Sequence, residues 1–145
     1  MSTKTLNVVI GPTAIGKTAF SIELAKKLNT EIVSADSRQF YKEMSIGTAV
    51  PSNQELKEVK HHFIHHKSIH DNYNVGQFEK EGIEKITSLF KTNDQLILTG
   101  GSGLYIDAIC KGLNFFPDIS SSTRTKLRED YDRHGIKWLK EQVEK

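Results

Sequence analysis

Residues Gly11-Pro12-Thr13-Ala14-Ile15-Gly16-Lys17-Thr18 have the order glycine, four residues, then Gly-Lys-Thr. That spacing makes a phosphate-binding loop. The glycines let backbone N–H groups turn inward around phosphate oxygens. A helix starting near Lys17 adds its positive end. The Lys17 ammonium can reach terminal phosphates, and the Thr18 hydroxyl can ligate Mg²⁺. All eight residues, Gly11, Pro12, Thr13, Ala14, Ile15, Gly16, Lys17 and Thr18, are therefore candidate diphosphate or nucleotide ligands, with Thr18 the metal ligand. Read alone, the loop suggests ATP.

ATP hydrolysis by such a loop also uses a second acid at the end of a buried strand, which holds Mg²⁺. The strand expected at Gln95-Leu96-Ile97-Leu98-Thr99 runs instead into Gly100-Gly101-Ser102. A motor-type ATPase or GTPase is disfavoured on that ground, and a small-molecule transferase stays open. The acid left near the phosphates is Asp36, just past a second expected strand, where α/β sheets place ligands. Its carboxylate could ligate the metal through water or take a proton from a nucleophile, or it could serve only an Asp-Ser turn.

The histidines at 61, 62, 65, 66 and 70 lack zinc-finger spacing, and Cys110 is the single cysteine. Structural or solvated roles are expected for them, and no disulfide can form within the chain. Trp138 reads as a packing residue.

The elements that must position these residues follow from periodicity. Leu6 to Ile10 reads as a buried parallel strand, Lys17 to Leu28 as a helix, and Glu31 to Ser34 as a second strand, together a βαβ unit. The segment from Ala35 to Pro51 is irregular, as functional loops are. Asn53 to Lys60 is an expected short helix capped by Ser52, and His61 to His70 an edge strand or loop. Val75 to Phe90 is an amphipathic helix with Phe78, Ile83, Ile86 and Leu89-Phe90 inward. Gln95 to Thr99 is the third strand and Leu104 to Lys111 a helix. Beyond Pro117, Ser120 to Thr123 can cap a helix beginning near Arg124, with another over Ile136 to Val143.

The fold class expected is α/β, a P-loop NTPase-like parallel sheet flanked by helices, with the start of a helical insertion. Its core is placed at 1–117 and the insertion at 118–145. Three strands and an end within a charged helix suggest a partial chain. The net charge of +2 neither demands nor excludes nucleic acid. No apolar run approaches the roughly 20 residues of a membrane span. A cytoplasmic monomer without membrane contact is the expectation.

Beyond the loop, the chain carries Val33-Ser34-Ala35-Asp36-Ser37, Met44-Ser45-Ile46-Gly47-Thr48-Ala49 with Pro51, His61-His62-Phe63-Ile64, and Gly100-Gly101-Ser102-Gly103-Leu104-Tyr105 with Gly112-Leu113. In this order and spacing it resembles the tRNA dimethylallyltransferases over about residues 6 to 125. The resemblance implies transfer of a dimethylallyl group from dimethylallyl diphosphate to N6 of the tRNA adenosine 3′ of the anticodon, assisted by Mg²⁺. It implies that Asp36 is the general base, that Ser102 is catalytic at a position where many members have threonine, and that the loop holds the leaving diphosphate. It further implies tRNA contacts by Asp36, Ser37, Arg38, Gln39, Ser102 and Arg124. Members are longer than this chain, and their Gln-Arg-x-x-Arg-Ala segment lies beyond Lys145, so the chain alone is expected to be incomplete and inactive. The alternatives are an adenylate isopentenyltransferase acting on a free nucleotide, a small P-loop kinase, and an inactive truncated remnant.

Overall fold

The computed structural model describes residues 3–114 and 119–144. They divide into two compact units, Met1–Leu113 and Asn114–Lys145. The expected boundary at Pro117 lies outside the described residues.

The first unit is a parallel sheet flanked by helices. It runs β1 (Thr5–Ile10), α1 (Lys17–Leu28), β2 (Ile32–Ser34), α2 (Asn53–Glu58), β3 (His61–His62), α3 (Val75–Leu89), β4 (Gln95–Gly100) and α4 (Gly103–Lys111). The strand order is β1-β4-β2-β3, and every pairing is parallel. β4 is thus inserted between the two strands of the first βαβ unit. In register, Ile10 lies opposite Gly100 and Ser34 opposite Thr99. Three strands therefore end together, and the loops after them share one carboxyl edge, where open α/β sheets bind ligands.

Period-two alternation sends the side chains of β4 to opposite faces. Leu96 and Leu98 join Val33, Ala35, Phe40, Phe78, Ile86 and Ile106 in the larger core cluster. Ile97 joins Ile22, Ala25, Ile32 and Val59 in the other. All three β4 residues are fully buried, as a strand covered on both faces requires.

The structure shifts several expected boundaries. α2 ends at Glu58, two residues early, because the chain extends at Val59 to reach β3. Ser52 caps α2 in a reciprocal box with Glu55. β3 is only His61–His62, paired with β2, and the segment after it is loop with one bridge between Tyr41 and Lys67. In α3 the inward positions are Phe78, Gly82 and Ile86, while Ile83 is 44% exposed. Gly82 takes the inward place because Ile109 of α4 presses against it; a Cβ there would meet the Ile109 Cδ1 at 2.6 Å.

In the second unit, α5 (Ser121–Val143) is two helical stretches separated by a break in helical geometry at Gly135 (φ 73°, ψ −174°), which matches the two helices suggested by the sequence. Ser120 caps it, accepting from the Thr123 N–H at 3.2 Å. Trp138 packs on the His134 ring, with centroids 5.5 Å apart.

Candidate functional site

β1 delivers the chain to Gly11 at the carboxyl edge. Ala14 (φ 65°) and Gly16 (φ 96°) then adopt left-handed backbone, the conformation that curls successive N–H groups into an anion cradle. Gly16 is the N-cap of α1 and supplies no capping side chain, and the first turn of α1 carries no acid. The positive end of the helix is thus left for an anion. Lys17 opens α1, and its Nζ donates to the Pro12 carbonyl at 2.7 Å. That bond keeps the ammonium over the loop.

A cleft of about 260 Å³ lies against this loop. Thr13, Ala14, Gly16, Lys17 and Thr18 form one wall, and Ser34, Asp36 and Thr99 at the strand ends form another. Ala49, Pro51, Glu55 and His61 close the far side. A second cleft of about 360 Å³ is lined by Ser37, Arg38, Gly47, Thr48, Gly101 and Ser102. Thr13 and Asp36 line both.

The geometry around Asp36 follows from a close approach of strand ends. The Ala35 N–H donates to the Thr99 carbonyl at 2.7 Å, carrying the ladder past β2. Gly100 lies so near that a Cβ would fall 2.5 Å from the Ala35 oxygen. Only glycine admits this contact. Asp36 Oδ1 then accepts from the Arg38 N–H at 3.1 Å, an Asx turn that fixes the carboxylate. Oδ2 faces Gly101: a methyl built there would lie 3.6 Å from Asp36 Oδ2 and 4.0 Å from Lys17 Nζ. A negative and a positive group thus flank one glycine at the junction of the two clefts.

Ser102 sits at the N-cap of α4 but makes no side-chain cap there. Its Oγ instead accepts from the Ser37 N–H at 3.0 Å and lies 3.1 Å from the Ser37 Oγ. Arg38 is exposed at the rim. Gln39 is buried: its amide donates to the Thr48 and Ala49 carbonyls at 3.3 and 2.9 Å, and its Oε1 accepts from the Ser34 hydroxyl. Gln39 therefore ties the Met44–Ala49 loop to the strand ends. Arg124 belongs to the second unit and is exposed on α5.

His61, for which a structural or solvated role was expected, stands beside the first cleft. Its Nδ1 sits 2.8 Å from the Val59 carbonyl, which fixes the proton there, and burial lowers its pKa. His61 lines the first cleft, and its Nε2 is buried with no hydrogen-bond partner among the described residues. Nothing in the sequence marks this, since the two-residue strand that aims the ring is too short to show a period. Glu55 was missed as well, although the Ser52-x-x-Glu55 box was a readable signal. The other histidines are placed elsewhere. His62 pairs with Glu31, and His66 is enclosed by aromatic rings. Among the described residues, no three His, Cys, Asp or Glu side chains cluster to hold a metal. Cys110 is exposed.

Residues 39–145 match the family model described as IPP transferase. The curated tRNA dimethylallyltransferase of Flavobacterium johnsoniae is 57% identical over 140 residues, covering 97% of this chain and 45% of that protein. That of Christiangramia forsetii is 51% identical over 143 residues, covering 99% and 47%. The chain thus spans slightly less than half the length of these relatives. The crystal structure of a full-length tRNA isopentenylpyrophosphate transferase from Bacillus halodurans superposes with a TM-score of 0.72 at 33% identity, over 97% of this chain and 46% of that one. A eukaryotic dimethylallyltransferase described as acting on tRNA gives a TM-score of 0.73 at 27% identity, over 83% and 31%.

Proposed function

The chain belongs to the IPP transferase family, and from that premise we propose that it forms the donor site and part of the acceptor site of a tRNA dimethylallyltransferase. The observation that carries this reading is the position of Asp36 on both clefts. A group-transfer enzyme needs a donor and an acceptor pocket that meet at one proton-accepting group, whereas a nucleotide hydrolase needs one pocket and a water.

The loop cleft takes the diphosphate of dimethylallyl diphosphate. Its backbone N–H groups and Lys17 hold the negative charge that grows as the allylic C–O bond breaks. The second cleft takes the tRNA adenosine 3′ of the anticodon, extruded from its stack. Its N6 attacks the allylic carbon, the C–N bond forms, and the proton leaves N6 for Asp36. Pyrophosphate departs. The Asx turn at Asp36 and the Ser37–Ser102 hydroxyl pair keep the carboxylate aimed during this exchange. Ser102 also remains the candidate hydroxyl for the substrate, with Ser37 and exposed Arg38 beside it. Buried Gln39 acts through the loop it holds. Arg124 is proposed as a tRNA contact on α5.

Hard oxygen donors suit Mg²⁺, and the Thr18 hydroxyl, which lines the loop cleft, would be the side chain that holds it. No cluster of three or more His, Cys, Asp or Glu ligands lies among the described residues, so diphosphate oxygens and water would supply the other ligands. Bound there, the ion would supply positive charge against the leaving diphosphate.

No helix among the described residues is long and apolar enough to cross a membrane. We place the enzyme in the cytoplasm, with tRNA and dimethylallyl diphosphate as partners and no need of a second copy.

The test uses labelled dimethylallyl diphosphate and Mg²⁺ with unmodified tRNA or AMP and the natural full-length polypeptide. Label is expected in tRNA. Label in AMP alone would make it a free-nucleotide enzyme, and label in neither would sink the transferase reading. Asp36→Ala should slow transfer about 100-fold or more while leaving diphosphate binding within a few-fold. Lost binding in that variant would make Asp36 a ligand rather than the base.

A further inference from the structure

Isolated exposed apolar side chains are ordinary on soluble proteins. Ile46 differs in where it stands and how it is held. It is 95% exposed, more than any other large apolar side chain among the described residues, Val143 near the chain end (81%) included. Its loop is nevertheless pinned. The Thr48 hydroxyl donates to the Met44 carbonyl at 2.7 Å and closes the turn beneath Ile46. The Met44 N–H donates to the Tyr41 carbonyl at 3.1 Å. The buried Gln39 amide grips the Thr48 and Ala49 carbonyls from below. Gly47, with φ at 75°, turns the chain immediately after Ile46. Loop entropy is given up here to hold an apolar group out in water.

The residues that follow it, Gly47 and Thr48, line the second cleft together with Asp36, Ser37, Arg38 and Ser102. Ile46 itself stands one residue before this lining, so an occupant that covers both presents an apolar face beside groups that meet hydroxyls, a guanidinium and a carboxylate. A nucleotide strand does this: bases offer flat apolar faces, phosphates suit Arg38, and base edges suit the hydroxyls. Extruding one base leaves the faces of the adjacent bases unstacked, and apolar side chains, Ile among them, commonly fill such gaps.

We infer that Ile46 is an apolar wedge that packs on the base beside the acceptor adenosine and holds the anticodon loop open. This rests on the transfer reaction proposed above. It adds a residue that selects a nucleotide within a strand over a free one.

The experiment uses the natural full-length enzyme with an anticodon stem-loop RNA. Ile46→Ala should raise the KM for RNA about tenfold, with the KM for dimethylallyl diphosphate and the melting temperature unchanged. Ile46→Leu, which keeps the apolar bulk, should stay near wild type. An unmoved RNA KM in Ile46→Ala overturns the inference. So does a lowered melting temperature with both KM values altered, which would mean that the rest of the polypeptide covers Ile46. A wild-type enzyme that transfers nothing to RNA removes the function reading and this inference together. An active wild type with an unaffected Ile46→Ala variant removes this inference alone.

Discussion

His66 carries both ring nitrogens into a cluster formed by Phe40, Phe63 and Tyr73, with centroids 5.1 to 5.3 Å from its own, and neither nitrogen meets a hydrogen-bond partner among the described residues. Burial pushes its pKa down to about 4; Lys67 and Lys42 push the same way and Glu81 opposes them. The folded ring is therefore neutral through a range in which the unfolded chain binds a proton. Between about pH 6.5 and pH 4 the unfolded state holds more protons, so stability rises with pH across that window. The contribution is complete above it and gone below it. The loss amounts to roughly 2–3 kcal/mol. Thermal melts from pH 7 to pH 4 should fall more steeply in wild type than in His66→Phe, and parallel curves would rule out this titration. The placement of Lys17, Asp36 and Ser102 at the clefts was legible at this scale, because it follows from a loop spacing and from the ends of expected strands, while their chemical roles are proposals. His61 and His66 were not, since what matters is which rings and carbonyls surround them, and that is set by residues distant in the chain.

β4 meets β2 through two adjacent glycines with opposite duties. At Gly100 a Cβ would fall 2.5 Å from a backbone oxygen that cannot move without breaking the Ala35–Thr99 ladder bond. Gly100→Ala should cost about 1–3 kcal/mol, read as a shift in denaturation midpoint. At Gly101 the same methyl finds ordinary van der Waals distances, yet it fills the space between Asp36 and Lys17. Gly101→Ala should unfold close to wild type while transfer falls roughly 10–100-fold in the full-length enzyme. Equal stability losses in both variants would refute this division of labour. At the scale of elements, the sequence was most readable where periods are long. α1 spans the expected Lys17–Leu28 and β1 gains only Thr5, because glycines and apolar spacing agree there, although β1 is an edge strand with no buried residue rather than the buried strand expected. Short or context-dependent features were lost. Two residues of β3 show no period, and α3 is turned by one position so that Gly82, not Ile83, meets α4. Helix patterns report a hydrophobic arc, while the packing partner, here Ile109, decides its centre.

The two units differ in what holds them. In the first, Leu96, Ile97 and Leu98 are fully buried between neighbouring strands and under both core clusters. At its β1 edge, Val8 and Ile10 remain 42% and 62% exposed. In the second, no residue of α5 is buried, and Gly135 breaks its 23 residues into two shorter stretches. Helices of that length are marginal in water unless an apolar face is covered. Amides of β4 should therefore exchange only through global unfolding, whereas those of α5 should exchange through local fraying. Hydrogen exchange on the 145-residue chain should give α5 protection factors below about 100, and β4 values of about 1,000 or more, set by the whole free energy of unfolding. Comparable protection in the two elements would show that α5 draws stability from packing rather than from its own hydrogen bonds. The tRNA contact proposed for Arg124 would then be offered by a surface already rigid before RNA arrives. With the expected difference, that surface orders on binding, and part of the RNA affinity is offset by the entropy of ordering α5.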